Sequence, residues 1–109
     1  MTLCTISMNV DKSHHIDKSE PDANGLYEYY YDYHLYEFTE GDFTLIARRY
    51  TNESEAHFLG LERAGEKAFL SKSILNEPLL HQAIEYLKKE GTNAFSYLDE
   101  REGYVEIFP

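Results

Sequence analysis

The chain has 109 residues, which suits one domain with one core. It is 42% hydrophobic and 15% aromatic, which excludes a chain too poor in apolar groups to fold. Twenty acidic side chains against ten basic ones give a formal charge of −10, which disfavours nonspecific binding to nucleic acid or anionic lipid, because neutralising phosphate needs clustered cations.

The first segment, TLCTISMNV (2–10), alternates: Cys4, Ile6, Met8 and Val10 fall on one side, so a strand is expected. It shows neither a basic n-region nor a continuous apolar run, so no signal peptide is expected. Cys4 is the lone cysteine, so no internal disulfide can form, which fits a reducing compartment. No stretch nears the roughly 18 apolar residues of a membrane span. A soluble cytoplasmic protein is the expectation. Residues 11–25, DKSHHIDKSEPDANG, are rich in charges and turn formers and read as a long polar loop.

Residues 27–38, YEYYYDYHLYEF, concentrate tyrosine. Tyr27, Tyr30, Tyr31, His34, Leu35 and Phe38 fit a helical spacing. Tyr27, Tyr29, Tyr31, Tyr33 and Leu35 fit a strand equally well, and aromatic propensity favours the strand. The turn TEGD (39–42) and the β-rich run FTLIARRY (43–50) complete a hairpin. A loop of Glu40 and Gly41 sets Phe38 opposite Phe43, Tyr36 opposite Leu45 and Asp32 opposite Arg49. On the other side it sets Leu35 opposite Ile46, Tyr33 opposite Arg48 and Tyr31 opposite Tyr50.

Residues 56–62 and 68–72 read as a second hairpin turning near Gly65. Asn76 is the expected N-cap of a helix over 77–90, with Pro78 in its first turn. Leu79, Leu80, Ala83, Ile84 and Leu87 form its apolar stripe, Lys88 and Lys89 suit its last turn, and Gly91 ends it. Residues 95–98 and 104–108 flank DEREG as a third hairpin. The order β-β-β-β-β-α-β-β implies a single α+β domain: an antiparallel sheet of six to seven strands with the helix on one face.

Both faces of the 27–50 hairpin carry large apolar groups, and one helix covers only one face. The second face is therefore expected to be a contact surface carried by Tyr29, Tyr31, Tyr33, His34, Tyr36, Arg48 and Tyr50. Its expected occupant is a second copy of the chain, in a homodimer, or a basic protein. The acidity suits a neutraliser of the immunity or antitoxin kind. The alternative is a small-ligand pocket lined by Tyr29 to Tyr36, with Arg48 and His34 supplying polarity.

Nothing in the spacing marks an enzyme, a cofactor or a metal. The histidines His14, His15, His34, His57 and His81 show no H-x-x-x-H, and there is no C-x-x-C. There is no G-x-S-x-G elbow, dinucleotide fingerprint or phosphate loop. Alternating tyrosines suit base stacking, but Glu28, Asp32 and Glu37 stand among them and no cationic groove does, so no nucleic-acid partner is expected.

Overall fold

A computed structural model describes residues 8–107. Seven strands and one α-helix follow the expected order: β1 (Asn9–Lys18), β2 (Tyr30–Glu40), β3 (Phe43–Tyr50), β4 (Glu55–Arg63), β5 (Glu66–Ala68), α1 (Pro78–Lys89), β6 (Ala94–Asp99) and β7 (Gly103–Ile107). A short 3-10 turn, Lys72–Asn76, precedes the helix. They form one sheet in the order β1-β2-β3-β4-β6-β7, with β5 beside the end of β4. The α+β class holds, but the sheet is mixed. β4 and β6 run parallel because 3-10 turn and helix carry the chain between them.

The strand expected over residues 2–10 is described only at its end, where Asn9 and Val10 open β1. Residues 2–7 lie outside the described residues, and β1 occupies most of the stretch read as a polar loop. It pairs antiparallel with β2 along its whole length, from Asn9↔Thr39 to Lys18↔Tyr30. A long neighbouring ladder outweighs the weak β-propensity of Asp, Lys and Ser. The reversal occupies residues 19–29 instead. There the Asp22 carboxylate accepts the Asn24 and Leu26 amides at 2.8 and 2.9 Å, and Ser19 Oγ accepts the Glu28 amide at 2.7 Å.

The β2–β3 hairpin forms with its register two residues from the expected one. Glu40 faces Phe43, Phe38 faces Leu45, Tyr36 faces Ala47 and Tyr33 faces Tyr50. The turn residues are Gly41 and Asp42, and Gly41 has φ +61°. A tight hairpin turn needs positive φ at its first central residue, so glycine takes that place and Glu40 stays in the strand. An offset of two keeps every side chain on its face but changes its neighbours. Arg48 now faces Leu35, and Arg49 faces His34. The second hairpin turns at Ala64 and Gly65, but β5 is only three residues long and ends before Phe69. The N-cap is Glu77, because Asn76 closes the 3-10 turn and Pro78 opens the helix.

The helix buries Leu79, Leu80, Ala83, Ile84 and Leu87 against Tyr36, Phe38, Leu45, Phe58, Phe95 and Tyr97 of the sheet. Each buried leucine, isoleucine or phenylalanine among them contributes roughly 1.5–3 kcal/mol. Its C-terminal end is tied down from β3. Arg49 donates from Nη1 to the Glu90 carbonyl and to Thr92 Oγ1, both at 3.1 Å, and from Nε to the Glu53 carbonyl at 2.9 Å. No helix among the described residues is long and apolar enough to cross a membrane.

A polar knot joins the helix end to β1 and β2. Lys12 Nζ lies 3.1 Å from Glu90 Oε1, and the Tyr36 and Tyr86 hydroxyls donate to the same carboxylate at 3.1 and 3.4 Å. Burial opposes the Glu90 charge, but the hydrogen bonds from Lys12, Tyr36 and Tyr86 outweigh it, and its pKa falls below the usual carboxylate value. The hydrogen bond to Glu90 raises Lys12 in turn. A lowered folded-state pKa means stability that is present above the unfolded carboxylate value and lost as pH falls through the folded one. Urea midpoints taken from about pH 7 to about pH 2 are therefore expected to fall less steeply in Glu90→Gln than in the parent. Identical slopes would contradict this role for the knot.

Candidate interaction surface

Side chains alternate across a strand, so the sheet sorts its aromatics by parity. Tyr36, Phe38, Leu45, Ala47 and Phe58 point at the helix and are sealed. Their neighbours Tyr31, Tyr33, Leu35, Ile46, Arg48, Tyr50 and His57 point the other way, where no helix or strand among the described residues covers them.

These side chains cover one another. Tyr33 donates its hydroxyl to Asp17 Oδ2 at 2.9 Å, a hydrogen bond that raises its pKa. Its ring stacks on His15 at 5.5 Å and meets Tyr50 edge-on at 5.9 Å. Tyr31 lies 5.9 Å from Tyr50 and stacks on Tyr29 at 5.9 Å. The Arg48 guanidinium sits 4.8 Å over the Tyr50 ring and donates from Nη2 to the Tyr104 hydroxyl at 3.0 Å. Tyr104 reaches back from the edge strand and lies 4.8 Å from the His57 ring. The result is one aromatic strip from Tyr29 to His57, with a cation at its centre.

Carboxylates frame the strip. By strand register Asp11, Asp17, Glu37, Glu55, Glu62 and Glu106 share this face, against Arg48 and Lys67: six acids to two bases, a net of −4. Beside the strip, Ile46, Leu59, Gly60 and Phe69 line an apolar dent of about 250 Å³.

Of the seven residues expected on one surface, Tyr31, Tyr33, Arg48 and Tyr50 meet on the open face. Tyr29 precedes β2 and joins them through its stack on Tyr31. His34 and Tyr36 do not join them. Both point to the helix side: Tyr36 is 1% exposed, and His34 packs 5.0 Å from the His14 ring. Burial, then the neighbouring Lys12 and His14 charges, lowers the His34 pKa. Their inclusion ignored the alternation that the strand imposes. A depression of about 520 Å³ lies by Tyr30, Tyr31, Tyr50 and the turn at 51–53, but neither Arg48 nor His34 lines it. His15, Asp17, His57 and Tyr104 belong to the surface and escaped sequence reading, because only long-range pairing brings them there.

Among the described residues one set of possible metal ligands converges: Glu53, Glu55 and His57. No family model, curated protein or solved structure matches the chain.

Proposed function

We propose that the chain is a non-catalytic binding module of the cytoplasm that docks a positively charged protein on its open sheet face. The observation that carries the reading is an uncovered aromatic strip framed by six carboxylates, on a face whose strands carry two cations, Arg48 and Lys67. Tyrosine and arginine at the centre supply desolvated contact area, and the acidic rim steers a basic partner and fixes its register. Neutralising a basic protein, as an immunity protein or antitoxin does, is the role this surface serves best. Pairing the same face with itself would set acid against acid around a two-fold axis, so a basic partner is favoured over a second copy.

The test is selection from a random peptide library displayed against the purified chain. Peptides enriched in Arg and Lys around an aromatic or aliphatic anchor are expected, with affinity falling steeply as salt rises. Enrichment of neutral or acidic peptides would contradict the proposal. So would a stable dimer by light scattering that Tyr33→Ala dissolves, because the face would then belong to self-association.

A further inference from the structure

The run Glu53-Ser54-Glu55-Ala56-His57 spaces two acids and an imidazole two residues apart. In extended chain alternate residues share a side, so Glu55 and His57 at the start of β4 stand together on the open face. Glu53 lies in the preceding turn, where its amide donates to the Tyr50 carbonyl at 3.0 Å and its carbonyl accepts from Arg49 at 2.9 Å. The backbone that carries the third ligand is thereby pinned. The three ligand atoms lie within 4.8 Å of one another, and His57 Nε2 is 3.6 Å from Glu55 Oε1.

A second feature lies outside this group. His57 Nδ1 is 2.6 Å from Ser96 Oγ, and Ser96, on the parallel strand β6, is 2% exposed. A proton on Nδ1 donated to this buried hydroxyl leaves the Nε2 lone pair aimed at the carboxylates. Metal-binding histidines are oriented in this way, by an outer partner on the other ring nitrogen.

We propose that Glu53, Glu55 and His57 bind a first-row divalent cation, Zn²⁺ first among them, with one coordination position left open. Tetrahedral Zn²⁺ needs its nitrogen and oxygen ligands about 3.3 Å apart. The Glu55–His57 pair is already near that separation, and rotation of the exposed Glu53 side chain closes the rest. One imidazole with two carboxylates suits Zn²⁺ better than Ca²⁺, which takes six or more oxygens. The strand partner of His57 is a cation, Arg48, but its guanidinium is engaged by Tyr50 and Tyr104 and forms no ion pair with either glutamate. The ion ties the β3–β4 turn to the sheet and offers its open position to water or to a donor atom from outside. The site stands whether or not the open face docks a protein.

Calorimetric titration of the full chain with Zn²⁺ alone tests it. One equivalent is expected to bind with a micromolar Kd, and Zn²⁺ is expected to raise the unfolding temperature. His57→Ala, Glu55→Gln and Glu53→Gln are each expected to weaken binding at least tenfold, and Ser96→Ala to do so while leaving all three ligands in place. Glu53→Gln alters an exposed side chain, so it reads the site even if His57→Ala unfolds the protein. His14→Ala with His15→Ala is expected to leave the Zn²⁺ affinity unchanged, although His15 belongs to the open face. The proposal fails if the parent binds no tighter than millimolar, if Glu53→Gln and His57→Ala bind as the parent does, or if the His14 and His15 changes abolish binding.

Discussion

Phe38→Ala is expected to lower the free energy of unfolding by about 4 kcal/mol, the usual range for a buried phenylalanine being about 3–5. The Phe38 ring is fully buried and lies parallel to Tyr36, with centroids 5.9 Å apart. Phe58 from β4 meets it at 6.5 Å and Tyr86 from the helix edge-on at 5.7 Å. Its strand partners are Val10 on β1 and Leu45 on β3. One ring thus joins four strands to the helix, and no neighbour can close the cavity without moving a strand. Domains of this size hold about 5–15 kcal/mol in total, so the thermal midpoint is expected to drop by on the order of 15–25 °C. Tyr33→Ala, five residues away on the open face, is expected to cost no more than about 1 kcal/mol. Melting both variants by circular dichroism checks the pair. Equal losses would mean that the two faces of the sheet are not divided as described.

Arg49→Ala is expected to cost about 2–3 kcal/mol, because a charged donor that serves three acceptors is removed. Those acceptors are the Glu90 carbonyl at the helix end, the Thr92 hydroxyl and the Glu53 carbonyl. Thr92 is 3% exposed, so water cannot easily replace the lost partner. Arg49→Lys is expected to recover less than half of the loss, since an ammonium cannot span acceptors that a planar fork reaches together. Urea midpoints measure the effect. Faster amide exchange at Gly91 and Thr92 would localise it, since their amides bond to the Lys88 and Leu87 carbonyls of the last turn. Full rescue by lysine would contradict the account. Arg48, one residue earlier, points to the other face, so Arg48→Ala is expected to leave amide exchange at the helix end unchanged.

The parts of the fold legible in sequence were those set by local rules. The helix showed because its stripe of Leu79, Leu80, Ala83, Ile84 and Leu87 repeats at 3.6 residues and is bracketed by Pro78 and Gly91. The tyrosine run resolved into a strand through aromatic propensity, although its spacing fitted both periods. What stayed hidden was set at long range. β1 is a strand because β2 offers it a full ladder, and nothing in DKSHHIDK shows that. The parallel β4–β6 pair depends on where the helix returns the chain. The surface was half legible for the same reason. Tyr31 and Tyr33 declare their shared side by alternation, and the same rule excludes His34 and Tyr36. Tyr104 enters only through that parallel pair, and His57 through the bulged β3–β4 ladder that sets it opposite Arg48.

The aromatic ring resonances of the ten tyrosines test the central claim most directly, since the sheet divides them by face. Titration with a selected cationic peptide is predicted to shift Tyr31, Tyr33, Tyr50 and Tyr104 together and to leave Tyr36 and Tyr97 in place. Shifts confined to Tyr36, Tyr86 or the helix, with the open-face rings unmoved, would contradict it.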